Sequence, residues 1–310
     1  MIEPTSGGIS RVAVIGAGLM GHGIALELAA HGYAVRLYDH DPAQLARAEQ
    51  RIATSLQLLL DTGNLSPDQV ATATRQLRYA GDLAAAVAEV DLVIEAVYED
   101  LATKQAVFRE LDAIAPKAAI FASNTSSYMP STLAAVTRRP DRVIVTHYFN
   151  PAHLLPLVEI VPGPETSPHT VETVRQLYES IKKTPVVLNQ EIPGFVGNRL
   201  QTALLREALA IVVAGVASAA EVDTIIRTGF GRRLALAGVF EVRDLSGWDV
   251  SIKVHEDLLP EIESGRQMPD ALRQIAAAAR GDDAHKVTRR AEITCSLAEM
   301  KQLLDGEPRS

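Results

Sequence analysis

The 310-residue chain holds one cysteine, Cys295, one tryptophan and only 5% aromatic residues. A lone thiol excludes an intramolecular disulfide framework and fits a reducing cytoplasm, the expected location. Cys295 itself reads as a plain near-terminal thiol. Runs of Lys or Arg are missing and the formal net charge is −8, so nothing here is built to follow a phosphate backbone. Nucleic acid is therefore not an expected partner. The first residues lack the basic-then-apolar layout of a signal peptide. The longest apolar run, "ALAIVVAGVASAA" at 208–220, is too short to span a bilayer, and no membrane partner is expected. Internal repeats and low-complexity tracts are absent as well. What remains is 47% hydrophobic and 22% charged residues, over a length sufficient for two cores.

Short β-branched runs alternate with helical patterns over the first 190 residues. The strand candidates are 11–16, 34–39, 91–97, 118–123, 142–148 and 185–189, with helices over 43–60 and 101–114. Most of these runs lack polar alternation, as parallel strands covered on both faces do. The expected fold is α/β, a Rossmann-type doubly wound, mainly parallel sheet. At "EIPGFVGNRL" (191–200) the character changes: Pro193 and Gly194 can end a strand and open a helix, and the rest is Ala/Leu-rich. The expected domains are therefore residues 1–190, binding a nucleotide, and 191–310, all-helical. Long apolar helices in so small a unit suggest a second subunit, and a two-fold homodimer is expected.

The first strand runs into "GAGLMGHGIALELAAHG". Gly16, Gly18 and Gly21 form G-x-G-x-x-G, and Asp39 ends the second strand 23 residues after Gly16. Glycines serve here for a tight turn, for close backbone approach to a pyrophosphate, and for helix-on-strand packing. The N–H groups of the helix N-terminus favour phosphate. Asp39 can accept hydrogen bonds from ribose hydroxyls and would repel a 2′-phosphate, so NAD is expected rather than NADP. Leu19 and Met20 line the cofactor in this reading; helix packing is the competing use of Met20 and His22.

Three further stretches supply polar groups at strand C-termini, the edge that faces the ligand crevice of an open α/β sheet. These are "VIEAVYEDLATK" with Glu95 and Lys104, "SNTSS" (123–127), and "THYFNPAHLLPLVE" with His147 and Glu159. In this order and spacing, together with "GAGLMG" and "PGFVGNR", they resemble the L-3-hydroxyacyl-CoA dehydrogenases and their short-chain relatives over roughly residues 10–250. The resemblance implies His147 as catalytic base and acid, Glu159 as its orienting acid, and Ser126 and Asn198 on the substrate oxygens. It also implies Asn124, Glu95 and Lys104 on the cofactor side with Asp39. The implied substrate is an L-3-hydroxyacyl-CoA, oxidised to the 3-ketoacyl thioester in fatty acid metabolism, with no metal. Serine and asparagine in such positions also serve as helix and turn caps. His153 lies off the family pattern and reads at most as a pocket wall.

Two departures stand out. Residues 47–79 contain no lysine, where members that bind coenzyme A are often lysine-rich; Arg75 and Arg78 remain as phosphate contacts or as a solvated face. The segment 154–168 also resembles relatives that oxidise free 3-hydroxy acids, such as L-gulonate 3-dehydrogenase and lambda-crystallin. Near the end, "KVTRRAE" (286–292) stands where many relatives carry a glycine- and aromatic-rich element, and the mixed charges of 281–292 read as solvated surface. Some relatives serve as bulk structural proteins, so an NAD-binding protein without turnover is the third reading.

Overall fold

The computed structural model of the chain describes residues 8–265 and 283–305. Two compact units form: residues up to Phe195 with those from Thr288 onward, and Val196–Val287.

In the first unit the elements are β1 (Arg11–Ile15), α1 (Gly21–Ala30), β2 (Ala34–Tyr38), α2 (Pro42–Asp61), α3 (Pro67–Gln76), β3 (Leu77–Tyr79), α4 (Leu83–Val87), β4 (Leu92–Glu95) and α5 (Leu101–Ile114). They continue with β5 (Ile120–Ser123), α6 (Pro130–Ala134), β6 (Val143–Tyr148), β7 (Leu157–Pro162), α7 (Pro168–Ser180) and β8 (Thr184–Val187). The strands form one sheet in the order β3-β2-β1-β4-β5-β6-β7-β8. All neighbours are parallel except β6 and β7, which run antiparallel. The strand order reverses between β1 and β4, which opens the crevice at their C-terminal ends.

The absence of polar alternation in the strands has a direct cause. Val12 and Val14 of β1 join one buried cluster with Ile24 and Leu28 of α1 and Leu56 of α2. Ala13 and Ile15 join a separate cluster on the opposite face, with Phe108 and Leu111 of α5 and Phe121 of β5. Successive residues of a strand point to opposite faces, so a sheet covered on both sides needs apolar residues at every position. The helix ends follow ordinary chemistry. Asp41 accepts from Ala43 N at 2.9 Å before Pro42 opens α2, and Asp100 accepts from Thr103 N at 2.8 Å at the start of α5.

The second unit is helical throughout its described residues: α8 (Gly197–Val213), α9 (Ala219–Thr228), α10 (Phe230–Leu234), α11 (Val239–Ser246) and α12 (Trp248–Leu258). The expectation of a helical domain running to residue 310 is corrected at its far end. The C-terminal helix, Asp283–Asp305, groups with the first unit from Thr288 on. Ala298 is fully buried in the α1–α2 cluster, Leu297 packs against it, and Asn64 Nδ2 donates to Ala298 O at 2.8 Å. Apolar side chains at 297–298 bury more area there than they would in solvent, and that burial recruits the helix. Of residues 281–292, expected as solvated surface, Ala291 and Glu292 are exposed, and the side chains of 281–290 lie outside the described residues. No described helix is long and apolar enough to cross a membrane.

Candidate active site

The glycine turn follows β1 directly. Gly16 has φ +102°, and a Cβ there would lie 2.5 Å from Ala96 O; a Cβ on Gly21 would lie 1.8 Å from Gly16 O. Both positions exclude any side chain. Gly18 differs, because nothing lies within 4 Å of where its Cβ would be. It borders open space that a side chain would fill, beside a helix N-terminus without a side-chain cap. That is the cradle a pyrophosphate needs. Asp39 completes it: Oδ2 accepts from Ala17 N at 2.8 Å and Oδ1 from Asp41 N at 3.0 Å. The carboxylate is thus tied to the glycine turn. Leu19 is half exposed, whereas Met20 packs against the core cluster.

The ends of β4 and β5 are joined by a chain of charges. Glu95 is fully buried; its carboxylate accepts from Lys104 Nζ at 2.8 Å, Val97 N at 2.7 Å and Ser123 Oγ at 2.5 Å. Lys104, 1% exposed, reaches on to Glu99 at 3.1 Å. Glu95 and Lys104 were expected on the cofactor side, but both are enclosed in protein. What they support is Glu99, which the sequence reading passed over. Glu99 Oε1 accepts from Thr125 Oγ1 (2.6 Å), Ser126 N (2.9 Å) and Ser127 Oγ (2.8 Å), and more weakly from Ser126 Oγ at 3.3 Å. Burial by itself would raise its pKa, but the Thr125 hydroxyl and the Lys104 charge outweigh that and hold it at about 2. A fixed anion therefore organises the "SNTSS" turn. Asn124 also acts within this frame, its Oδ1 accepting from Tyr148 N at 3.0 Å.

His147 and Glu159 stand directly opposite each other on β6 and β7, and His147 Nδ1 lies 2.8 Å from Glu159 Oε2. Both are buried, at 4% and 2% exposed. The antiparallel pairing puts residues twelve apart in sequence side by side. An ionised carboxylate only accepts, so Nδ1 carries the proton and Nε2 is left as the acceptor. The rings of Phe149 and Phe195 sit 4.7 and 5.6 Å from the imidazole and turn its surroundings apolar. Asn198 is in the first turn of α8, in the second unit. Arg75 and Arg78 bond to Thr72, Thr74 and Leu77 on their own segment. Cys295 lies on the C-terminal helix, 3.9 Å from Glu299.

Comparison with known proteins decides the family. The profile of the 3-hydroxyacyl-CoA dehydrogenase NAD binding domain matches residues 11–192, and that of the 3-hydroxyacyl-CoA dehydrogenase C-terminal domain matches 194–286. The chain belongs to the 3-hydroxyacyl-CoA dehydrogenase family. A 5-formyl-3-hydroxy-2-methylpyridine 4-carboxylate 5-dehydrogenase of Mesorhizobium japonicum is 37% identical over 78% of this chain and 77% of its own. An L-carnitine dehydrogenase of Bacillus cereus is 39% identical over 79% and 74%. The crystal structure of a 5-formyl-3-hydroxy-2-methylpyridine 4-carboxylic acid 5-dehydrogenase, an NAD+-dependent dismutase, superposes with TM-score 0.90 at 31% identity, covering 97% of this chain and all of that one.

This family member is an NAD-dependent oxidoreductase acting on a CH–OH group. The glycine cradle and the tethered Asp39 fit the cofactor. Asp39→Ala should weaken NAD binding by roughly 1–3 kcal/mol, the scale of hydrogen bonds to a charged group. Fluorescence titration with NADH and NADPH checks it. Preference of the unaltered protein for NADPH would overturn the role of Asp39.

Proposed function

We propose that the chain reversibly oxidises an L-3-hydroxyacyl compound to its 3-keto form, with His147 as general base and acid and Glu159 as its orienting partner. The observation that carries this reading is the buried 2.8 Å contact between the two. His147 Nε2 takes the hydroxyl proton as the carbon becomes a carbonyl. NAD, when bound, supplies the hydride acceptor. Imidazole suits the exchange because its intrinsic pKa lies near working pH, so it can take the proton and return it. Glu159 holds the tautomer and stabilises the imidazolium that forms. Ser126 and Asn198 serve the substrate oxygens in this reading, as polar groups set where charge develops.

The substrate takes one of two forms. The family description and the motif set favour a CoA thioester; the missing lysines of 47–79, and relatives named for a pyridine carboxylate and for carnitine, favour a free acid. Absorbance at 340 nm across acetoacetyl-CoA, 3-hydroxybutyrate and L-gulonate separates them. Tight NADH binding with no turnover on any of these would instead support the non-enzymatic reading. The retained His147–Glu159 pair argues against that outcome.

The second unit carries a further expectation. Of the 17 residues of α8 only Leu209 is buried, while Leu200, Leu204, Leu205 and Val213 are all exposed in the single chain. So much apolar surface on one helix is characteristic of an interaction face. A two-fold dimer with 203–220 at or beside the contact should result, giving the dimer mass by light scattering. A stable monomer at micromolar concentration would contradict it.

A further inference from the structure

Beside the glycine turn lies a cleft of about 510 Å³. His22 of α1, Arg47 and Arg51 of α2, and Asn150 and His153 from the turn after β6 line it, and Thr294 of the C-terminal helix contributes to its wall. No Asp or Glu lines it among the described residues, although the whole chain carries a net charge of −8. The cleft is therefore a local reversal of sign.

His153 sets this cleft apart from a merely basic surface. It is 7% exposed, and neither ring nitrogen has a hydrogen-bond partner among the described residues. A buried imidazole left this way loses its water partners and gains nothing in return. Burial, with His22 and Lys183 nearby, pushes its pKa down to about 4, so it is neutral and offers one donor and one acceptor. The ring is held against α1 closely enough that a Cβ on Gly23 would come within 2.9 Å of its Nδ1. His22 is also buried and already gives Nδ1 to Gly18 O at 2.8 Å. Arg47 is engaged by Asp41 at 3.2 Å and Gln44 at 2.9 Å. Arg51 has no ion pair among the described residues, yet its charge is felt at His22. One uncommitted guanidinium and one unsatisfied imidazole thus share a cleft.

We propose that this cleft holds the carboxylate of a free hydroxy acid substrate, with Arg51 as its counter-charge and His153 as a hydrogen-bond donor. This rests on the proposed 3-hydroxyacyl chemistry and assigns its acid form. A single unpaired positive charge matches a monoanion better than the several phosphates of a thioester carrier. The location suits a substrate site. Asn150, Pro151 and His153 of the wall follow Phe149, whose ring packs on His147, and Leu19 of the glycine turn forms another side. A ligand group anchored there is bonded to a turn that continues the catalytic strand. Arg51 and His153 are thereby specificity-determining residues.

The test uses the full chain carrying His147→Gln and labelled with 15N-histidine, with NADH present. Ring-nitrogen spectra are followed as acetoacetate, 3-hydroxybutyrate, L-gulonate or acetoacetyl-CoA is added, and His153→Leu assigns the resonance. At least one free acid should shift the His153 signal. Adding Arg51→Met, at an exposed position, should weaken that acid about 10- to 100-fold, the loss of one charge-assisted hydrogen bond, with NADH affinity unchanged. The assignment is overturned if no acid shifts His153, or if Arg51→Met leaves every acid's affinity intact. It is equally overturned if only acetoacetyl-CoA binds and depends on Arg51, since the cleft would then take a phosphate end. Binding is read without turnover. A catalytically active His147→Gln protein would therefore sink the proposed chemistry and leave the cleft result standing.

Discussion

His147→Gln should lower turnover by about 10²–10⁴-fold, the range for losing positioned acid–base help. Glutamine preserves similar size and hydrogen bonding but cannot act as a base near neutral pH. NAD binding should change little, because the cradle lies between β1 and α1 and Asp39 directly after β2, away from the catalytic pair on β6 and β7. Glu159→Gln should also slow turnover while the fold persists, since an amide can orient the ring but stabilises imidazolium poorly. The double variant should be hardly worse than His147→Gln alone, because residues acting as one unit are not additive. Stopped-flow and steady-state absorbance at 340 nm on the best substrate of the panel measure all three. Near-normal turnover by His147→Gln would make the pair a structural contact and nothing more.

How much of this was legible before the structure depends on distance along the chain. The central strands β1, β4, β5 and β6 were readable because they are buried on both faces, and α5 matches its expected span of 101–114. Two strands went unread. β3 has only three residues, Leu77–Tyr79, too few for a pattern. β7 was seen only as an apolar run, because its pairing with β6 depends on how residues 149–156 turn the chain back. The catalytic candidates were found through a family resemblance, and the antiparallel register supplies the physical reason for the twelve-residue spacing. Glu99 stands five residues before Lys104, yet its partners at 125–127 belong to the next βα turn, and no local pattern joins the two. The docking of the C-terminal helix on the first unit gave no signal either: its contact joins Asn64 and Ala298, 234 residues apart.

A second large effect concerns Lys183, which shapes the turn between the two catalytic strands. Its Nζ donates to Ala152 O at 2.6 Å and Leu155 O at 2.7 Å, and pairs with Glu27 of α1 at 2.7 Å. Side-chain exposure is 2% for Lys183 and 8% for Glu27, so water screens neither. Lys183→Met leaves a buried carboxylate without its counter-charge and two turn carbonyls without their donor. Removing one partner of a buried pair costs about 3–5 kcal/mol. Urea unfolding should show that as a lower midpoint with an unchanged slope. Replacing both partners, Lys183→Met with Glu27→Leu, should recover most of the loss, because the uncompensated charge goes with the glutamate. The carbonyls of 152 and 155 would still lack a donor, and the turn between β6 and β7 would be held less firmly. Turnover of the double variant should therefore remain below that of the parent at comparable stability. If Lys183→Met unfolds within about 1 kcal/mol of the parent, the surface-pair range, the ammonium is not the clamp. In that case apolar packing alone keeps His147 opposite Glu159.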